Sequence, residues 1–313
     1  MNTNTMTLPV TLEERWISNL YQYPVGGEPW PYTPKINRVF IRFCYVDQQT
    51  RDAAQCLVGQ AISLWAQALG GKSSANTGHA IAFHEAKTPT QPVLCYEDPG
   101  RTVWTSYLPA DTLAISIDPS ASSSSASSGY LNYDRAGRHT LIISGDVISR
   151  GESWRIAHEI GHVFGLGHEH VRRDRDQHIE YRCDRVFGFQ NAYNKAKNDP
   201  PNSHLADHEL KKALCEDENF GHRYGFDVGL AFHVRPNFGV NSYFDWDSIM
   251  LYGSDTAAQN DCRHDIDQCP MLKKDIDPTT GSISYSKFDG GQVPSAADVA
   301  FVRQTYPYIP PSP

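Results

Sequence analysis

Residues 158–168 read HEIGHVFGLGH, and this stretch decides the fold. Its fixed positions spell HExxHxxGxxH, a pattern this composition produces by chance on the order of 10^-4 times. On a helix, His158 and His162 lie one turn apart on one face, so both imidazoles can reach one ion. Ile156, Ile160 and Val163 fall on the other side, where they can bury against a sheet. Gly165 stands where the helix must break. Without a Cβ it can take the left-handed conformation that swings His168 round as a third ligand. Three neutral histidines suit Zn2+, one ion per chain, with a position left open for water whose pKa falls to about 7. Glu159 adjoins the first ligand but points elsewhere, so its expected role is general base toward that water and proton carrier to the leaving amine.

Upstream, Ser149 and Glu152 have capping-box spacing and are expected to start the motif helix. RVFIRFCYV at 38–46 alternates Val39, Ile41 and Phe43 as a half-buried strand does. Val58, Ile62, Trp65 and Leu69 then recur on one helical face, with Gly70-Gly71 as a stop. Further strands are expected at 79–85, 92–96, 102–107, 112–117 and 139–144. The serine-rich run 119–129 has too little apolar area to order itself and reads as a mobile surface loop. Residues 1–37, punctuated by Pro24, Pro29, Pro31 and Pro34, favour an extended path. Beyond 170 the pattern loosens, with a helix expected near 204–216 and a last one capped by Ser295 and Asp298.

The chain has 313 residues, 40% hydrophobic and 20% charged, enough for a substantial core and inconsistent with wholesale disorder. A net charge of -8 without a basic run argues against nucleic acid or an anionic membrane as partner. No apolar run is long enough for a membrane anchor, and no secretory signal is visible at the start. Seven cysteines lack zinc-finger spacing and suggest up to three disulfides, Cys262 with Cys269 the readiest local pair, and one leftover thiol. They point to an extracellular, secreted protein, expected to be monomeric. Reduced cysteines in a cytosolic chain are the other reading.

With these residues in place, the chain resembles the metzincin metalloproteases. HEHVRRDRD at 168–176 narrows the likeness to the astacin family, and DWDSIMLYG at 245–253 resembles that family's Met-turn. The resemblance implies a methionine, Met250, beneath the metal ligands, and Tyr252 as a further zinc ligand that swings away to stabilise the oxyanion when substrate binds. It also implies that Glu169 pairs with an amino terminus freed by propeptide removal. No mature start is evident here, so Arg172 or Arg175 is the alternative partner. Leu251 departs from the histidine common at that place in the family.

The expected fold is α+β, of zincin type: an extended segment 1–37, a subdomain 38–167 with a twisted mixed sheet and two long helices, and an irregular subdomain 168–313 below. The cleft between them would bind a protein or peptide substrate along an edge strand. The expected function is zinc-dependent endopeptidase. A catalytically silent zinc-binding adhesion or inhibitory module and a serralysin-like branch are the alternatives. His204 and His208 lack a third ligand in register, and the acidic runs lack calcium-loop spacing. Trp30, Trp104, Tyr130 and Tyr133 are candidates for lining a peptide groove, and Arg172 or Arg175 for reading an acidic side chain.

Overall fold

The computed structural model describes residues 18, 20, 27–235 and 243–310, so most of the segment expected to be extended lies outside the described residues. β1 (Tyr32–Thr33) and β2 (Arg38–Tyr45) pair antiparallel across a 3-10 turn begun by Pro34. The alternation in β2 does what its period dictates: Val39, Ile41 and Phe43 are all buried. α1 (Gln48–Ala68) starts at Asp47, whose carboxylate accepts from the Thr50 N–H at 2.7 Å, and stops before Gly70 and Gly71, both at positive φ. Its Val58, Trp65 and Leu69 are buried and Ile62 half-buried.

β3 (Ile81–Glu85) and β4 (Leu113–Asp118) run parallel to β2. β5 (Ser125–Ala126) is antiparallel to β6 (Thr140–Ser144), which is itself parallel to β4. The presence of β5 corrects the expected loop at 119–129. Hydrogen bonding rather than apolar burial orders it: Ser124 Oγ accepts from the Ser144 N–H at 3.0 Å and Ser127 Oγ from the Thr140 N–H at 2.8 Å. The strands expected at 92–96 and 102–107 are also corrected. They form single bridges, Lys87 to Pro92 and Tyr96 to Trp104, because Pro92 removes a ladder donor and Asp98 folds 98–103 into a turn by accepting from the Thr102 and Val103 N–H groups.

α2 (Gly145–Arg150) ends at Gly151, and α3 (Ser153–Phe164) carries the histidine motif. The capping box expected from Ser149 and Glu152 does not form. Ser149 lies inside α2, its hydroxyl donating to Asp146 O, and the Glu152 carboxylate pairs with Arg155 at 2.9 Å. Gly151 at φ 69° ends one helix and lets the next begin, a signal that the spacing alone concealed. Across the sheet's buried face α1 and α3 pack together, with Trp65 Nε1 donating to Ala157 O at 2.8 Å and its ring edge-on to Phe164.

The rest of the chain is irregular, as expected: α4 (Arg175–His178), β7 (Ile179–Tyr181), α5 (Phe189–Lys197), α6 (Asp207–Glu216), α7 (Glu218–Arg223), α8 (Asp227–Leu230), β8 (Met271–Ile276) and β9 (Ile283–Ser286). A second core joins Phe189, Leu214, Phe226, Phe232, Leu251 and Met271. α9 (Ala296–Thr305) then returns to the first core, burying Val299, Phe301, Val302 and Tyr306 against the sheet and α3. Its expected capping box is present, Ser295 Oγ accepting from the Asp298 N–H and Asp298 from the Ser295 N–H. Disulfides join Cys44 to Cys95, Cys183 to Cys215 and Cys262 to Cys269, leaving Cys56 as an exposed thiol.

Buried histidines make the fold sensitive to acid, His139 among them. His139 has no exposed surface, packs between Trp30 and Tyr130, and accepts from the Leu131 N–H at 2.8 Å through Nε2, which requires the neutral ring. Burial first, and Arg138 beside it second, lower its pKa to about 4. The unfolded chain takes up this proton near pH 6.5 and the folded chain does not, so stability is full above 6.5 and falls as pH drops toward 4. The loss should reach about 3 kcal/mol. Urea unfolding across that range should show a loss to which the other buried histidines add, and His139→Gln should reduce it by about 3 kcal/mol; an unchanged slope would assign the acid sensitivity elsewhere.

Candidate active site

The face of α3 opposite its buried apolar residues presents His158, Glu159 and His162. Ile156, Ile160 and Val163 are buried to 1% exposure or less, so the helix is fixed in rotation by its core face. At its end Gly165 adopts φ 98°, and the Leu166 N–H reaches back to Gly161 O at 3.0 Å. That turn points the chain toward His168. A Cβ at Gly165 would lie 2.4 Å from Leu20 Cδ2, so the position is closed to larger residues by packing as well as by backbone.

Two of the imidazoles have their tautomers set by carbonyl oxygens, which only accept. His158 Nδ1 donates to Ile249 O at 2.7 Å and His162 Nδ1 to Leu166 O at 2.9 Å. Their Nε2 atoms therefore carry lone pairs, and each lies 3.0 Å from His168 Nε2. A proton on His168 Nε2 could bridge to one of them but not to both. A single cation answers all three, since nitrogens about 2.05 Å from a tetrahedral centre stand roughly 3.3 Å apart. Among the described residues this is the only cluster of histidine, cysteine or carboxylate groups so converged. Burial lowers the pKa of every member, that of His158 to about 3, which keeps the rings neutral as ligation requires. The donor set fits zinc.

Glu159 is 6% exposed, and its Oε2 has no hydrogen-bond partner among the described residues. Burial pushes its carboxyl up to about 8. It lines a cleft of about 600 Å³ together with His162, His168 and Tyr252. Ser124 to Ser128, around β5, form one wall, and Val171, Leu230, Ala231 and Arg235 another. The Tyr252 ring lies 4.6 Å from that of His168 and 5.9 Å from that of His158. Of the aromatics considered for the groove, Tyr133 lines it, while Trp30 is core and Trp104 packs on Tyr96.

The segment 245–252 reaches the ligands from below. Met250 is 1% exposed, and a Cβ on Gly161 would sit 2.4 Å from its sulfur. The Glu169 N–H donates to Met250 O at 3.1 Å, so this turn holds the segments of both the first and third histidines. It is tied in turn to α9: Asp298 accepts from Ser248 Oγ at 2.8 Å and from the Ile249 N–H at 2.9 Å.

Glu169 is 2% exposed and meets Arg172, itself without exposed surface, at 2.7 Å; it also accepts from the Asp245 N–H. Arg172 further donates to both oxygens of Asp174 and to Tyr243 O. Arg175 donates to Phe232 O and Asp176 and lies over the Tyr181 ring. The suggestion that either arginine reads a substrate is thereby corrected, because both are turned inward. His204 and His208 do not converge with a third donor. Sequence reasoning also passed over His170, buried within the quoted extension, and Asp298 beyond its capping role.

The geometry brings His158, His162 and His168 together as a set that could hold one metal ion. The model of the Astacin peptidase family matches residues 135–210, which include the whole histidine motif. Tolloid-like protein 2 of Mus musculus is 28% identical over 149 residues, 44% of this chain and 13% of that protein. Tolloid-like protein 1 of Mus musculus is 31% identical over the same length and shares, and Bone morphogenetic protein 1 of Xenopus laevis is 31% identical over 90 residues, 29% of this chain and 10% of that protein. The chain thus spans about an eighth of the length of the tolloid-like relatives. High choriolytic enzyme 1, a hatching enzyme zinc-protease from Oryzias latipes, pairs 94% of its chain with 88% of this one at 13% identity and a TM-score of 0.48. The family match thus covers the histidine motif and its surroundings, about a quarter of the chain.

Two substitutions test the framework. Gly161→Ala raises helix propensity yet overpacks the methionine contact, so it should lower stability by about 1–3 kcal/mol in denaturant unfolding; a stabilised variant would show the contact to be slack. Arg172→Ala strands a buried carboxylate and should cost about 3–5 kcal/mol in the same measurement, against near neutrality for an exposed pair.

Proposed function

We propose that this protein is a zinc-dependent endopeptidase, and one observation carries the reading: three neutral imidazole nitrogens converge beside a buried carboxylate whose Oε2 has no partner, at a cleft of about 600 Å³. Bound by His158, His162 and His168, a zinc ion would supply Lewis acidity and a water acidic enough to attack at neutral pH. Glu159 Oε2 accepts the proton of the attacking water and returns it to the departing amine. Tyr252, whose phenol is held in the protonated state by burial, donates a hydrogen bond to the carbonyl oxygen as negative charge develops there. β5 offers a strand edge along which an extended peptide gains main-chain hydrogen bonds. Gly165, Met250 and Glu169 serve as supports, each fixing the path of a ligand segment.

Three disulfides suit an oxidising compartment, and we read the protein as secreted. No helix among the described residues is long and apolar enough to cross a membrane.

The test is hydrolysis of casein or a quenched peptide by purified protein, with metal content measured on the same sample. A chelator should abolish cleavage, and Glu159→Gln should reduce kcat about 10^2–10^4-fold with zinc retained. Full activity in that variant would remove Glu159 from the chemistry. A zinc-loaded protein that cleaves nothing would instead support the silent binding module.

A further inference from the structure

We propose that His170 is a positioning residue that holds the Tyr252 ring in the cleft. The inference rests on the reading of Tyr252 as the oxyanion donor, and it starts from how that ring is held. Among the described residues nothing hydrogen-bonds the Tyr252 hydroxyl, so its orientation depends on the faces and edges around it. His170 stacks on it with centroids 4.2 Å apart and planes 24° from parallel, closer than any other ring. Phe232 meets it edge-on at 6.0 Å.

His170 itself has no freedom. It is fully buried, stacks on His168 at 5.0 Å, and its Nε2–H donates to Ala231 O at 3.1 Å. The carbonyl only accepts, so the bond fixes both the tautomer and the ring angle. Ala231 is part of the cleft wall. One imidazole therefore ties together the third ligand two residues before it, the wall, and the phenol. A phenylalanine could supply the stack but not the anchor, and only the anchor stops the pair of rings from sliding together. Because stacking rather than a hydrogen bond fixes the phenol, its O–H is left for the substrate carbonyl.

A double-mutant cycle reads this directly. His170→Ala should lower kcat on a quenched peptide about tenfold, with KM changed less than about twofold, the scale of one lost aromatic pair. His170→Phe, which keeps the volume, should lower it about threefold and serves if the alanine variant does not fold. In a Tyr252→Phe background both losses should shrink below about twofold. The same loss in both backgrounds would overturn the proposal, showing that His170 only supports the fold. Tyr252→Phe with undiminished kcat would strike the reading of Tyr252 instead. In that event a crystal structure of metal-free His170→Ala still decides the positioning claim. A Tyr252 ring displaced by more than about 1 Å, a large shift for a packed interior, supports it, and an unmoved ring refutes it.

Discussion

The site depends on two backbone carbonyls. Ile249 O and Leu166 O each take the remote proton of a histidine, and by doing so they force lone pairs toward a common point where nothing in the protein can satisfy all of them. Left to itself such an arrangement is repulsive, and the rings would turn away. They stay because each carbonyl belongs to a segment fixed by other means: Leu166 by the glycine turn that closes α3, and Ile249 by the carboxylate of Asp298 on its own N–H. The readiness of the three nitrogens for a cation is thus set by main-chain geometry at Leu166 and Ile249, distant in sequence.

Two buried carboxylates near the centre show opposite solutions to the same cost. Glu169 is matched by the Arg172 guanidinium and by a backbone N–H, so it acts as a joint between the ligand segment and the Met-turn. Burial still pushes its carboxyl up to about 7, with Arg172 pulling the other way. Glu159, ten residues earlier, has only burial acting on it and one oxygen with nothing to hold. A protein that needed only stability would not leave that group unpaired. The contrast separates a carboxylate that braces the structure from one left without a polar partner.

Much of this was legible in the sequence for physical reasons that can be named. The period of α3 and the glycine at 165 fix which histidines share a face and where the chain turns, so HEIGHVFGLGH alone carried the convergence of His158, His162 and His168. Strong alternation gave β2, β4 and β6, and Ser295 with Asp298 gave α9. What escaped was whatever depends on partners distant in sequence. β5 has no apolar pattern, and the serines that flank it, Ser124 and Ser127, accept from β6 N–H groups through their hydroxyls. The end of α2 at Gly151 was masked by a fortuitous spacing of Ser149 and Glu152. His170 could have been noticed as a fourth histidine two places past the third, but its stack on Tyr252 is a contact across 82 residues that no local reading supplies.

The tie between Asp298 and the Met-turn has a consequence for the order in which the molecule is made. Synthesis delivers the motif helix well before the turn beneath it, while the carboxylate that steadies that turn arrives later still, with α9. A chain that ends before α9 lacks both the Asp298 carboxylate and Val299, Phe301, Val302 and Tyr306, which complete the core around the sheet and α3. The turn beneath the three histidines therefore gains its last support only when the end of the chain has folded back onto it.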